Sequence, residues 1–236
     1  MQRAKYDPKH TTMILVGGWL LVLFSVSFVT LTFFIDLLAR SQPLLYDLSN
    51  NLFKVAAGSD MIRFLLTLYA LIPLLLIPGA VAAYYTFKHI HAANMRVGMY
   101  FATTGVIALT ISLLMLPSLN WHLVTFLRSL PEANQATMII LLQAFNSYFG
   151  VFVGDILGIG SLLVWFFITS CVMINDPAMP RAVGVIQLLI TLVAAVVLIL
   201  RYSGCMPLSH LTIQVPGVVA LWIFICGISL ISLRRG

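Results

Sequence analysis

"FNSYFGVFVGDILGIGSLLVW" runs from Phe145 to Trp165 and is apolar almost throughout, yet it carries one carboxylate, Asp155, among four glycines. It lies inside a longer run, Met138 to Ile174, that has no Lys, Arg or Glu in 37 residues. Such a run cannot face water. A helix that crosses about 30 Å of hydrocarbon needs roughly 20 apolar residues, and this run exceeds that on its own.

Composition carries the same reading to the whole chain. Hydrophobic residues make up 61% of the 236 and charged residues 8%, and the mean hydropathy is +1.05. Soluble domains carry about 25% charged residues, so most of this chain's exterior must face lipid. The net charge of +6 would point to nucleic acid in a soluble protein. Here the thirteen Lys and Arg are scattered between apolar runs, which excludes a basic stripe. Cys171, Cys205 and Cys226 form no C-x-x-C and define neither a zinc site nor a disulfide framework.

Six apolar segments can be drawn, at about 12–35, 61–87, 97–117, 150–174, 182–201 and 213–233. Strand-like alternation, the barrel signature, is absent, and unpaired backbone groups in lipid demand helices. The expected fold is all-α: a single domain over 1–236, a polytopic membrane bundle of six transmembrane helices with interfacial helices on the outer side. The first run follows a basic start and is too long for a signal-peptide core of about 7–15 residues, so it reads as an uncleaved span. Residues 133–147 read as an interfacial helix that bends into the fourth span near Asn146, with a re-entrant segment as the alternative. Outside the membrane, Leu44, Leu45, Leu48, Leu52 and Phe53 recur at near-helical spacing and predict a lid-like surface helix.

Cytoplasmic loops carry an excess of Lys and Arg. With six spans, Arg3, Lys5, Lys9, Lys88, Arg96, Arg181, Arg234 and Arg235 share the side of the termini. Arg40, Lys54, Arg63, Arg128 and Arg201 share the other side with Asp36, Asp47, Asp60 and Glu132. Both termini are therefore expected in the cytoplasm.

Ser147, Gly150, Gly154, Gly158 and Ser161 follow three- and four-residue steps, a small-residue stripe that lets another helix approach closely. Asp155 flanks this stripe. It precedes Ile174 by nineteen residues, roughly 28 Å of helix, which puts it near the outer boundary, where a carboxylate costs far less than at the midplane. Two readings stay open. Asp155 is the floor of an outward pocket shared with Arg63 and Arg201 and rimmed by Tyr148 and Trp121, or it is structural, as a tether to an outward arginine or a helix-start carboxylate favoured by the dipole.

Catalytic and metal motifs are sparse. "GIGS", Gly158 to Ser161, superficially suggests an intramembrane serine protease, but no histidine lies within a span to serve as base. Cys205, Met206 and His210 offer soft ligands of the kind that suit Cu(I), in a single short cluster. "KHIH", Lys88 to His91, suits lipid headgroups. Pro73, Pro78 and Gly79 interrupt the second span without the paired broken helix a transporter would show. No metal site and no cofactor is expected.

"GDILGIGSLLVWFFITSCVMINDPAMPRAVGVIQLL", Gly154 to Leu189, resembles the fourth-to-fifth span region of the bacterial domain-of-unknown-function family 4386. "DMIRFLLTLYALIPLLLIPGAVAAYYTFKHIHAANMRVG", from Asp60, is similar to its second span and loop. The resemblance implies a six-helix protein of the bacterial cytoplasmic membrane and carries no activity.

The expected function is non-catalytic: holding a lipid or small apolar ligand in an outward-facing cleft. A structural accessory subunit of a larger membrane complex, or a homo-oligomer packing through the glycine stripe, is the alternative, and a lipid-active enzyme the third. Membrane lipids are the expected partners. The topology is checked by single cysteines at Asp47 and His122 in a background without Cys171, Cys205 and Cys226. An impermeant thiol reagent should label both in intact cells, and labelling only after lysis would overturn the six-span arrangement.

Overall fold

The computed structural model describes residues 8–41, 60–123, 126, 131–177, 181–202 and 214–232. Among these the chain is helical, with no strand. Helix α1 is Pro8–Ser41 and α2 is Asp60–Leu71. A 3-10 turn, Ile72–Leu75, joins α2 to α3, Leu76–Leu114. Helix α4, Glu132–Asn146, runs into a π-wound stretch, Ser147–Ile159, and then into α5, Gly160–Asn175. Helices α6, Arg181–Tyr202, and α7, Gln214–Ser232, complete the described chain.

Four helical stretches are long and apolar enough to cross a membrane: Thr11–Ile35, Asp60–Leu123, Ile140–Asn175 and Arg181–Leu200. Val219–Ser232 is a shorter apolar helix. Their outer faces confirm the composition argument, since Phe33 is 63% and Ile199 66% exposed, and water would not tolerate so continuous an apolar surface.

Asp60–Leu123 spans 64 residues, about 96 Å at 1.5 Å per residue, three times the hydrocarbon thickness. It is broken once inside α3, where His91 leaves helical geometry (φ −143°, ψ 74°). The loop drawn between the second and third segments is thus a one-residue break with helix on both sides. Beside it, His89 Nε2 lies 3.9 Å from Asp176 Oδ2. Asp176 caps the end of α5 and is 1% exposed, so the stretch of α3 beside the break and the end of α5 are held together. Lys88 lies over the Tyr85 ring, 4.6 Å from its centroid.

Pro73 and Pro117 are absorbed by changes of winding. A proline lacks an N–H and crowds the carbonyl four residues back. At Pro73 the helix tightens to 3-10 geometry over Ile72–Leu75, and around Pro117 it widens to π geometry over Leu116–Asn120. Asn146 keeps regular helical dihedrals (φ −63°, ψ −40°). The bend expected there is replaced by a change from α to π winding, and 132–175 forms one continuous helical run with no re-entrant turn. The surface helix expected around 44–53 lies outside the described residues.

Lipid tails are as apolar as the helices, so association rests on close packing and buried hydrogen bonds. Helices α1 and α7 meet at Gly18 and Gly227: a Cβ at Gly227 would stand 2.8 Å from the Gly18 carbonyl oxygen. Helix α3 meets the π stretch at Gly105, where a Cβ would stand 2.8 Å from the Gly158 oxygen. A polar knot ties α5 to α6. The Phe166 carbonyl accepts both the Ser170 hydroxyl (2.6 Å) and the buried Gln187 amide (3.3 Å). Thr191 in turn donates to the Gln187 carbonyl at 2.8 Å.

These contacts predict a contrast between glycines. Gly105→Ala forces a methyl against backbone and should lower stability by about 1–3 kcal/mol. Gly150, with nothing within 4 Å of an added Cβ, should accept alanine without loss. Thermal melting of the two purified variants checks this.

Candidate ligand cavity

The winding of the π stretch decides where Asp155 points. π geometry is rare and recurs at functional sites, and a run of thirteen residues, Ser147–Ile159, is far longer than a single bulge. Within it, Gly154 and Gly158 are buried against Ser112 and Leu109 of α3. Ser161 is also buried, whereas Ser147 is exposed and Gly150 faces open space. The stripe is thus divided: its inner end packs within the chain, and its outer end does not.

Asp155, half-buried on the flank of this contact, accepts a hydrogen bond on Oδ2 from the Tyr202 hydroxyl. Tyr202 is the last residue of α6, so the carboxylate stands level with the end of a span. The bond ties the π stretch to α6.

Asp155 also lines a cavity of about 300 Å³ between six helices and the π stretch. Helix α1 contributes Phe24 and Phe28, α2 contributes Tyr69, and α3 contributes Leu76, Leu109 and Leu113. Ile159 and the α5 residues Leu162, Leu163 and Phe166 continue the wall inward from Asp155. Ala194, Val197 and Leu198 of α6 face Val219, Ala220 and Ile223 of α7. Among the described residues, Asp155 and Tyr69 are the only polar side chains in this lining. Phe24, Phe28 and Tyr69 form a stacked ladder, with centroids 5.6 Å and 5.4 Å apart. Among the described residues α6 and α7 touch sparsely, although α1 packs closely on α7 and α5 on α6. The cavity therefore lies behind a loose joint of the bundle.

Of the other expected site residues, Arg63, Trp121 and Tyr148 are placed elsewhere. Arg63 Nε donates to the Pro117 carbonyl at 2.9 Å, its Nη2 lies 3.3 Å from His122 Nε2, and its guanidinium sits 5.6 Å from the Trp121 ring centroid. Arg63 and Trp121 are thus together, in a cluster that ties α2 to the end of α3 and is separate from the cavity lining. Tyr148 is 58% exposed and packs edge-on to Phe149 at 5.3 Å. Arg201 lies in the last turn of α6, and its side chain is outside the described residues, as are Cys205, Met206 and His210. Sequence reasoning missed Tyr202, Tyr69 and the two phenylalanines of α1. Tyr202 had one available signal: it follows Arg201 at the boundary where Asp155 was already placed by depth.

No family model matches this chain, and no curated protein or solved structure matches it.

The hydrogen bond predicts coupling. Asp155→Asn and Tyr202→Phe should be non-additive in thermal stability, with a coupling of about 0.5–3 kcal/mol. Asp155→Asn and Arg63→Gln, which share no contact described above, should add to within about 0.5 kcal/mol. A double-mutant cycle on each pair measures both.

Proposed function

We propose that this protein is a non-catalytic membrane protein that holds a lipid or small apolar ligand in the cavity beside Asp155. The observation that carries this reading is the cavity itself: about 300 Å³, apolar but for a carboxylate and a phenol, inside a bundle with lipid-facing outer walls. Ligand sites have this character, mostly apolar with a few placed polar groups. The joint between α6 and α7 is sparse, and both helices expose apolar side chains such as Val193 and Leu221 to the surroundings of the bundle, so the ligand reaches the cavity from the bilayer.

The topology that goes with this reading has six crossings. The break at His91 divides Asp60–Leu123 into two crossings, and α7 supplies the sixth. Both termini then lie in the cytoplasm of a bacterium, the cavity opens toward the outer side, and the chain groups with the domain-of-unknown-function family 4386 it resembles. A second reading, an accessory subunit or self-associating chain, is favoured by the open Gly150 face, which the exposed Tyr148 and Phe152 flank.

Native mass spectrometry of gently extracted protein tests the ligand reading. The wild type should carry an added mass that Ala194→Phe and Ala220→Phe, each filling the cavity from one wall, reduce severalfold. An unliganded wild type, or adducts indifferent to both variants, would overturn it.

A further inference from the structure

The cavity owes part of its volume to two residues. Among the described residues of its lining, Ala194 and Ala220 are the smallest side chains. Both are buried, at 9% and 1% exposure. Ala194 lies on α6 and Ala220 on α7, the two helices whose joint is sparse. Between closely packed helices, small side chains let backbones approach. Here α6 and α7 touch sparsely, so the small side chains leave space instead. A leucine at either position would carry three more carbon atoms into that space.

Size narrows the class. An engineered apolar cavity of about 150 Å³ takes one benzene. A cavity of about 300 Å³ therefore suits on the order of a dozen heavy atoms, which is one chain and not the paired chains of a phospholipid. A chain that leaves the bilayer gains no transfer energy, since lipid tails are as apolar as the walls. What it gains is contact. Protein interiors pack more densely than liquids, and each carbon that meets a wall adds dispersion attraction. Affinity therefore grows with chain length until the space is filled.

We propose that the ligand is a single-chain amphiphile whose chain of about a dozen carbons fills the cavity, and that Ala194 and Ala220 set that length. This rests on the reading that the cavity holds a bilayer ligand, and it adds the rule by which the cavity selects among chains. The selection is made by volume and asks nothing of the head. Carbons beyond the limit either stay among the lipid tails or crowd the packed walls, and neither adds affinity.

The test uses the full chain in phosphatidylcholine nanodiscs, titrated by calorimetry with empty discs subtracted. The probes are hexyl-, nonyl-, decyl-, dodecyl- and hexadecylglycerol, which share one uncharged head. In the wild type, affinity should rise about tenfold from hexyl to dodecyl and stay level from dodecyl to hexadecyl. Ala194→Leu and Ala220→Leu should each bring the plateau down to the nonyl chain, because three carbons of the wall replace three of the ligand. Didodecylglycerol should bind more weakly than dodecylglycerol. Affinity that climbs on to hexadecyl, a plateau that both variants leave in place, or didodecylglycerol bound as tightly as dodecylglycerol overturns the proposal. In each of these cases, saturable binding that Ala194→Phe abolishes leaves the cavity reading standing. No saturable binding of any chain overturns both. If leucine is not tolerated at either position, Ala194→Val and Ala220→Val decide in the same way, with the plateau expected at the decyl chain.

Discussion

Hydrocarbon offers the peptide backbone no hydrogen-bond partner, and the shape of this chain follows from that constraint. Each N–H and C=O must be met within its own helix, so a residue that disturbs the ladder must be accommodated without leaving a group bare. At Pro73 the ladder tightens, and around Pro117 it loosens. The carbonyl of Pro117 finds Arg63 of α2. The same constraint explains the hydroxyls inside the helices. Ser25, Thr86 and Thr169 each donate to the carbonyl four residues back, so they need no water. The one break in helical geometry inside α3 comes at His91, among the polar residues between two apolar runs, where water can serve the freed groups.

Association between the helices then depends on how closely backbones can approach. Glycine at Gly18 and Gly227, and again at Gly105 and Gly158, brings carbonyl oxygens to distances that a methyl group would obstruct. These joints fix α7 on α1 and the π stretch on α3. The polar knot around Gln187 does the same for α5 and α6. The joint between α6 and α7 is looser, and the cavity lies behind it. Void and tight joints are linked: bulky Phe24, Phe28 and Phe166 sit on elements whose spacing is set elsewhere by glycine, and they cannot close the gap between them.

Asp155 is tolerable because of this arrangement. A lone carboxylate facing lipid is costly, but here it has the Tyr202 hydroxyl and stands level with the end of α6. The π winding turns it toward the cavity while Gly154 and Gly158 stay against α3.

From the sequence alone, the membrane as solvent, the helical class and the extent of the apolar runs were legible. They depend on composition and run length, which are local sums. Asp155 could also be singled out, because one carboxylate in so apolar a run requires an explanation whatever the fold. Its partner could not be found this way. Of the two arginines expected, Arg63 is engaged by Pro117, His122 and Trp121, the Arg201 side chain lies outside the described residues, and Tyr202, 47 residues from Asp155, supplies a hydrogen bond that charge alone does not suggest. The cavity was equally hidden. Its walls come from six helices and the π stretch, and apolar side chains that line a void have the same sequence pattern as those that fill a core or face lipid. The winding change at Ser147 was illegible for a related reason: the residues there suit an ordinary helix, and the close contacts of Gly154 and Gly158 with α3 exist only in the folded bundle. What depends on the solvent around each residue could be read from the chain, whereas what depends on which helices stand side by side was decided by the tertiary structure.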